Sequence, residues 1–254
     1  MGGRVVGKVV IVTGASRGVG LADARLLAAE GATVIMTDIN VEAGEKAAAD
    51  IGDSAQFIKH DVSNEEEWKA LITKVEAQHG RLDVLVNNAA ILQVGDINGE
   101  TLEGWQRMMK INADSVFLGV QNALPLIEKS GGGSIINMSS SAALHGMPNF
   151  VAYSSAKAAV KGLTKAVAVH CQQTNNGVRC NSIHPDGIAT DMPQEIAGDL
   201  PEMDATAAMK AVAFMIMPED VAKTVLFLAS DDSSMINGIA LSIDKTATIT
   251  PPYI

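Results

Sequence analysis

The chain has 254 residues, of which 47% are hydrophobic, and it carries a formal net charge of -10 at pH 7. The apolar content is sufficient for a sizeable core, and α/β chains of this length often form a single domain. The negative charge disfavours nucleic acids and anionic membrane surfaces as partners, and no apolar run approaches the ~20 residues of a membrane span.

Predicted strands and helices alternate along the whole chain. Strands are predicted at 9–13, 33–37, 55–60, 82–86, 134–138, 178–184 and 239–243. Helices are predicted at 18–30, 41–51, 64–79, 101–129, 153–174 and 218–229. Parallel strands joined by helices imply right-handed crossovers and a doubly wound sheet. We therefore predict an α/β single-domain Rossmann fold over residues 1–254, with a mostly parallel seven-stranded sheet and helices on both faces.

A glycine-rich turn follows the first predicted strand. The β-branched run 9–13 leads into Gly14-Ala15-Ser16-Arg17-Gly18-Val19-Gly20 and then into a helix. Gly14 permits a tight turn, while Gly18 and Gly20 let the backbone and helix approach a pyrophosphate on the helix N-terminal N–H groups. The glycine spacing differs from the more familiar Gly-x-Gly-x-x-Gly. Its context of strand, turn and helix nevertheless predicts dinucleotide binding.

Asp38 ends the second predicted strand, close to the ~20-residue separation expected for a carboxylate that binds the adenosine ribose. A carboxylate accepts hydrogen bonds from a 2′-hydroxyl but repels the 2′-phosphate of NADP. Arg17 favours NADP instead, since a guanidinium in the glycine loop would bind the 2′-phosphate. The alternative is that Arg17 faces solvent. Because Asp38 would contact the ribose directly, we predict NAD as the coenzyme.

Tyr153 and Lys157 are four residues apart in a predicted helix, which puts a phenol and an ammonium on one face. A nearby cation favours phenolate and lowers a pKa that starts near ~10, so this tyrosine would exchange a proton with an alcohol or ketone. An isolated Tyr-x-x-x-Lys pair is more often an exposed pair on an ordinary helix. The strand that runs into Ser139-Ser140-Ser141, shortly before Tyr153, favours the catalytic interpretation.

Few residues are suited to crosslinking or metal binding. Cys171 and Cys180 are the only cysteines, and we expect buried free thiols in a reducing cytoplasm rather than a disulfide. The histidines show no paired spacing that indicates a metal site, and none is expected. They are His60, His79, His145, His170 and His184.

Several ordered motifs make the chain resemble the short-chain dehydrogenase/reductase family over essentially its whole length. Within the family, the segment 184–188 and the tail look most like bacterial 3β/17β-hydroxysteroid dehydrogenases. The motifs are Thr13-Gly14-x-x-x-Gly18-x-Gly20, Asp61-Val62, Asn87-Asn88-Ala89, Asn112, the three serines, Tyr153-x-x-x-Lys157 and Asn181-Ser182-Ile183-His184-Pro185.

The resemblance implies roles for the catalytic residues. Tyr153 would be the acid/base, and Lys157 would lower its pKa and hold the nicotinamide ribose. The serine that orients the substrate oxygen is taken from its 13-residue spacing as Ser140. Ser139 and Ser141 stay open as alternatives, since a one-residue shift in a strand turns a side chain to the opposite face.

Further roles follow from the same resemblance. Asn112 corresponds to the family's helix asparagine that helps anchor a proton-relay water, although alone it would be read as a helix-bending polar residue. Asn88 would steady the central strand. The implied coenzyme contacts are Gly14, Ser16, Arg17, Gly18, Val19, Gly20, Asp38, Ile39, Asp61, Val62, Asn88, Ala89, Tyr153, Lys157, Pro185, Gly187, Ile188 and Thr190. The expected substrate contacts are Ser140, His145, Met147, Phe150 and Met192.

Three positions depart from the family pattern. Ala90 stands where the family usually has glycine, and Pro185-Asp186-Gly187 replaces the usual Pro-Gly. The tail 243–245 lacks the common double glycine. None of these changes removes a catalytic group.

The irregular, methionine-rich segment at about 190–217 is predicted to be a lid over the nicotinamide, since this region closes on substrate in the family. Methionine is adaptable and suits an irregular apolar ligand such as a steroid or alicyclic ring. The alternative is that these methionines pack the lid's own short helices.

The motifs and the resemblance predict an NAD-dependent short-chain alcohol dehydrogenase/ketoreductase. It would interconvert a secondary alcohol and a ketone by hydride transfer, on hydroxysteroids or other bulky cyclic alcohols. The alternatives are a reductase of smaller ketones or 3-oxoacyl thioesters, and a non-catalytic dinucleotide sensor. The expected partner is a small apolar alcohol or ketone, with no nucleic acid or membrane, and the resemblance suggests a homotetramer.

Overall fold

The computed structural model describes residues 3–195, 198 and 215–250. Its seven strands are β1 (Val9–Thr13), β2 (Thr33–Asp38), β3 (Ala55–Lys59), β4 (Val84–Asn87), β5 (Gly133–Met138), β6 (Val178–Pro185) and β7 (Ala240–Ile243). The helices are α1 (Gly18–Ala29), α2 (Val41–Ile51), α3 (Glu65–His79), α4 (Leu102–Met109), α5 (Ser115–Lys129), α6 (Val151–Thr174), α7 (Asp191–Glu195) and α8 (Pro218–Ala229). A π-helical turn occupies Lys110–Asp114, and 3₁₀ turns occupy Ser141–Ala143 and Asp231–Ser233.

The strands form one sheet in the order β3-β2-β1-β4-β5-β6-β7, and every pairing between them is parallel. All five residues of β1 are buried, as expected for a central parallel strand covered on both faces. The chain builds outwards from β1 in one direction and from β4 in the other. The crevice at the carboxyl ends of these two strands is therefore the topological switch point, where ligands bind in folds of this kind.

Alternate residues of β1 contribute to two hydrophobic clusters on opposite faces of the sheet. Val10 and Val12 pack with Leu27 of α1 and Val225 of α8. Val9 and Ile11 lie in the other cluster, which includes the buried Trp68 of α3. Such alternation follows from the two-residue period of a strand. The predicted doubly wound α/β fold with helices on both faces is confirmed, and the described sheet is entirely parallel.

The main difference from the predicted elements lies within the helix expected at 101–129. The structure divides it into α4 and α5 with the π-helical turn between them. The amide of Asn112 in this turn exchanges hydrogen bonds with the backbone of Ile91, which accounts for the irregularity. Such turns are frequent at functional sites. The other predicted boundaries agree with the observed ones within two residues.

Only the two ends of the predicted lid, 190–217, belong to the part of the chain that is described. Ala189 N–H donates to the Ile216 carbonyl and Ile216 N–H to the Gly187 carbonyl, both at 2.9 Å, so the two ends lie side by side. The central part of the lid, including Met203 and Met209, lies outside the described residues. Both cysteines are buried and free, as predicted. No helix of the described ranges has the length and apolar character needed to cross a bilayer.

Candidate active site

A cavity of about 620 Å³ opens at the carboxyl ends of the central strands. The turns after β1, β4, β5 and β6 form most of its wall, and α6 closes one side. Most of the residues predicted to bind coenzyme or substrate line it. They are Gly14, Ser16, Arg17, Gly18, Val19, Asp38, Ile39, Asp61, Val62, Asn88, Ala89, Ser140, Met147, Phe150, Tyr153, Lys157, Pro185, Gly187, Ile188, Thr190 and Met192.

Three predicted site residues do not line this cavity: Gly20, Asn112 and His145. A Cβ at Gly20 would clash with the Gly14 carbonyl, so Gly20 is needed for close packing of helix and turn. His145 was expected in the substrate wall. It follows the 3₁₀ turn, and its backbone N–H donates to the Ser141 carbonyl at 3.2 Å.

The turns after β1 and β4 are fastened together at the coenzyme end of the cavity. Thr13 Oγ1 accepts hydrogen bonds from the backbone N–H groups of Asn88 and Ala89 at 3.0 and 3.1 Å. Asn88 Nδ2 donates to the Thr13 carbonyl at 2.9 Å. Gly14 has φ +64°, and a Cβ there would lie 2.8 Å from Ala89 Cα. Only glycine fits this close approach without strain.

The N-terminus of α1 is open towards this turn. Arg17 is its N-cap residue, with an extended backbone, and no side chain caps the helix. Uncapped N–H groups together with the helix dipole form an anion-binding site. The glycine turn, the uncapped helix and the adjoining cavity fit the pyrophosphate of a dinucleotide.

Asp38 lies at the end of β2, where its carboxylate is organised by three donors. Oδ2 accepts from the backbone N–H and the hydroxyl of Ser16 at 3.2 and 2.7 Å, and Oδ1 accepts from Asn40 N–H at 3.0 Å. Arg17 forms an ion pair with Glu195 and lies 3.9 Å from Asp191. The hydrogen bond that Arg17 donates to Glu195 is the main cause of the raised pKa of Arg17.

Tyr153 and Lys157 lie on the cavity side of α6, with Lys157 Nζ 5.7 Å from the centre of the Tyr153 ring. Lys157 is only 1% exposed, and its Nζ donates to the Met138 carbonyl at 2.9 Å. Burial lowers the pKa of Lys157 to about 8. The ammonium is thus held at the end of β5, directly beside the phenol.

The pKa of Tyr153 differs in direction from the prediction. Burial raises this pKa above its ordinary value of 10.0, and a hydrogen bond with Ser140 partly offsets the effect. This direction is opposite to the predicted one, because burial is the largest cause of the shift and low-dielectric surroundings disfavour the charged phenolate.

The three serines after β5 each have a different partner. Ser139 Oγ donates to the Lys157 carbonyl at 2.9 Å, and Ser141 Oγ donates to Asp186 Oδ1 at 2.6 Å. Ser140 Oγ accepts from the backbone N–H of Ala142 at 3.2 Å, and Ser140 is the one of the three that lowers the pKa of Tyr153. Ser139 and Ser141 thus contact neighbouring elements, and the role of Ser140 towards a reacting oxygen stays a prediction.

Asn112 is fully buried in the π-helical turn behind the cavity wall. Its Oδ1 accepts from Ile91 N–H and its Nδ2 donates to the Ile91 carbonyl, both at 2.9 Å. Ile91 itself lines the cavity. Asn112 consequently acts in this structure through the backbone of Ile91, and the relay role implied by the resemblance stays a prediction.

Some residues of the cavity wall were not predicted. Several follow directly after strands whose ends were predicted, so their sequence position was an available signal. Asp186 was noted only as a departure from the family motif. The unpredicted residues are Asn40, His60, Ala90, Ile91, Leu92, Ile111, Met138, Ser139, Ser141, Asp186 and Asp191.

Comparisons with known proteins agree with this geometry. A family model described as enoyl-(acyl carrier protein) reductase, of the short-chain dehydrogenase/reductase family, matches residues 14–248. The chain is 42% identical to 3-beta-hydroxysteroid dehydrogenase of Comamonas testosteroni, over 97% of this chain and 98% of the relative.

Two further relatives are similar over nearly their full length. Cyclopentanol dehydrogenase of Comamonas sp. is 41% identical, over 95% of this chain and 97% of the relative. The 3-alpha-(or 20-beta)-hydroxysteroid dehydrogenase of Mycobacterium bovis is 38% identical, over 96% of this chain and 90% of the relative. The chain therefore belongs to the short-chain dehydrogenase/reductase family, whose dehydrogenases use a nicotinamide dinucleotide.

Proposed function

We propose that this protein is an NAD-dependent oxidoreductase that interconverts a secondary alcohol and a ketone, on hydroxysteroids or other bulky cyclic alcohols. The observation that carries the proposal is that Ser140, Tyr153 and the buried Lys157 line the wall of one large cavity, with Lys157 Nζ 5.7 Å from the centre of the Tyr153 ring. These groups can hold an alcohol oxygen and exchange its proton. A non-catalytic sensor has no need for this combination.

In the proposed reaction, Ser140 and Tyr153 hydrogen-bond the oxygen of the substrate. During alcohol oxidation Tyr153 Oη takes the hydroxyl proton, and during ketone reduction it returns that proton to the developing alkoxide. A nicotinamide held beside Lys157, Gly187 and Ile188 would supply the hydride chemistry between the carbinol carbon and the ketone. Lys157 stabilises negative charge on the phenol oxygen, since its Nζ is fixed 5.7 Å from the ring centre.

The substrate class is supported by the apolar part of the cavity wall. Met147, Phe150 and Met192 line it, together with Ile91 and Leu92. Such a surface suits an apolar ring system, and methionine adapts to irregular shapes. The similar proteins named as steroid and cyclopentanol dehydrogenases support the same class.

A reductase of smaller ketones or 3-oxoacyl thioesters is the second candidate, because the matching family model is described as an enoyl-(acyl carrier protein) reductase, which also acts on an acyl thioester. An acidic acyl carrier would favour a basic surface near the site. The net charge of -10 and the acidic residues Asp191 and Glu195 beside the cavity argue for the free alcohol instead.

The preference for NAD rests on charge at the adenosine end. Asp38 is fixed by Ser16 and Asn40 and would accept hydrogen bonds from a 2′-hydroxyl while repelling a 2′-phosphate. Arg17, the group that favours NADP, is paired with Glu195. That ion pair leaves the guanidinium partly neutralised.

Assembly as a homotetramer, with a lid at 190–217 on a single domain, completes the proposal. Helices α4, α5 and α6 expose large apolar side chains: Leu102 and Trp105 are 72% and 37% exposed, and Phe117 and Val169 are 47% and 57% exposed. Such surfaces support association between copies. Two free thiols support a reducing, cytoplasmic location.

The test is to add NAD⁺ or NADP⁺ with a 3β-hydroxysteroid, cyclopentanol and a linear secondary alcohol, and to follow reduced coenzyme by absorbance. We expect turnover with NAD⁺ and a preference for the ring substrates. A second arm adds NADH or NADPH with a 3-oxoacyl thioester and follows the loss of reduced coenzyme. Turnover confined to this arm would support the second candidate, and coenzyme binding without turnover in either arm would support the sensor.

A further inference from the structure

The turn that carries Ser140 is fastened to the end of β6 by two contacts. His184 Nδ1 lies 3.0 Å from the Ser140 carbonyl oxygen. The Ser141 hydroxyl donates to Asp186 Oδ1 at 2.6 Å. The His184 contact holds the backbone of Ser140, and the Asp186 contact holds the side chain of Ser141. Together they fix the backbone that carries the Ser140 hydroxyl.

His184 is a fully buried donor in this arrangement. A carbonyl oxygen only accepts, so Nδ1 of His184 must carry a proton to bond with Ser140. Burial lowers the pKa of His184 below its ordinary value of 6.5, which favours a neutral ring at neutral pH. Nε2 is then the acceptor, and it lies 2.9 Å from the Ser182 hydroxyl. The Ser182 contact therefore fixes both the tautomer and the orientation of the ring.

Asp186 is the residue by which this chain departs from the usual Pro-Gly motif. Its backbone N–H donates to the Ile243 carbonyl at 3.0 Å, which anchors it to β7. A short hydrogen bond from a hydroxyl to a carboxylate is stronger than one between neutral groups. Ser141 is 1% exposed, so the bond is shielded from water on the serine side. The carboxylate thus reaches the serine turn from a rigid strand end.

We propose that Asp186 and His184 are positioning residues that hold Ser140 in place on the cavity wall that it shares with Tyr153. This inference rests on the proposed function, in which Ser140 orients the reacting oxygen. Loosening the turn would lower kcat, because misplacement of a catalytic group by about 1 Å costs up to about 100-fold in rate. It would lower kcat more than it weakens coenzyme binding, since the glycine turn and Asp38 belong to other strand ends.

The kinetic test compares Ser141→Ala, Asp186→Ala, the double variant and Asp186→Asn with the wild type, using NAD⁺ and cyclopentanol. We expect each alanine variant to lose about 10- to 100-fold in kcat and the double variant to be no worse than either single one, because both remove the same contact. Asp186→Asn keeps an acceptor oxygen and should recover most of the rate. Asp53→Ala and Ser234→Ala, at exposed positions remote from the cavity, are the matched controls.

Three kinetic results would overturn the inference. The first is a kcat of Asp186→Ala equal to that of the Asp53→Ala control. The second is a kcat of Asp186→Asn as low as that of Asp186→Ala. The third is a double variant in which the losses of kcat of the two alanine variants multiply. If Asp186→Ala does not fold, Ser141→Ala against Ser141→Thr makes the same comparison, because threonine keeps the hydroxyl.

A second readout does not depend on turnover. The chain has two tyrosines, so in a Tyr253→Phe background the ¹³Cζ resonance of labelled tyrosine reports Tyr153 alone. The Ser140 hydrogen bond lowers the Tyr153 pKa, so loosening the turn by Asp186→Ala or Ser141→Ala should raise it. An unchanged pKa in both variants would overturn the positioning role. Failure of the wild type to oxidise any alcohol would count against the proposed function, and this titration would still decide the inference.

Discussion

Replacing Asp23 should change both the stability of the protein and its dependence on pH. Asp23 lies on the buried face of α1, is 0% exposed, and neither carboxyl oxygen has a hydrogen-bond partner in the described part of the chain. Burial raises its pKa well above the ordinary value of 3.8. The carboxyl is therefore an isolated polar group in the core that resists ionisation.

The size of the effect follows from two terms. A buried polar group without a partner costs about 1–3 kcal/mol, so Asp23→Ala should stabilise the fold by about this amount, less the cost of the small cavity that remains. The second term depends on pH. The pKa of Asp23 is higher in the folded than in the unfolded protein, so the protonated carboxyl favours the folded state. This stabilisation is fully present below pH 3.8. It is lost as pH rises towards the folded-state pKa, by up to ~1.4 kcal/mol per pH unit.

The assay is urea unfolding of the wild type, Asp23→Asn and Asp23→Ala at one protein concentration, at several pH values from 4.5 to 8. Asparagine keeps the shape and the unsatisfied polar atoms but cannot ionise. The stability advantage of Asp23→Asn over the wild type should therefore grow with pH. A difference between these two proteins that stays constant across the range would refute the reasoning, and destabilisation by Asp23→Ala would show that the carboxyl has a partner.

Three further predictions concern the site. Tyr153→Phe should leave NADH binding, measured by fluorescence titration, intact and lower turnover by several orders of magnitude; near-wild-type kinetics would refute the acid/base role. Asp38→Ala should weaken the preference for NAD⁺ over NADP⁺ in kcat/KM, and an unchanged ratio would count against the ribose contact. Asn112→Ala removes both hydrogen bonds to Ile91 and should cost about 1–3 kcal/mol in unfolding free energy as well as lowering kcat. Unaltered stability would mean that the π-helical turn does not depend on that amide.

The fold was predictable because its signals are local. The β-branched run 9–13 and the glycine turn after it specify a buried strand that enters a helix, and the alternation of such units specifies a parallel sheet. The 13-residue spacing from Tyr153, read through the family resemblance, predicted Ser140 as the catalytic serine, whereas the serine cluster by itself left three candidates.

Features that depend on distant contacts were not predictable. The π-helical turn arises from bonds between Asn112 and Ile91, 21 residues apart. The direction of the Tyr153 pKa shift depends on burial, which the four-residue spacing from Lys157 does not reveal. The hydrogen bond between Ser141 and Asp186 joins two strand ends 45 residues apart. The sequence shows Asp186 only as a departure from the family motif, and its partner is visible only in the folded chain.

The most direct test of the account is the ionisation of Tyr153, followed by the ¹³Cζ resonance in the Tyr253→Phe protein with and without NAD⁺. Without coenzyme, burial should keep the phenol protonated at least to pH 9, because its pKa lies above 10.0. NAD⁺ adds positive charge and should lower that pKa, and the shift should shrink in Lys157→Ala. A phenolate at neutral pH without coenzyme, or a titration that NAD⁺ does not move, would contradict the account.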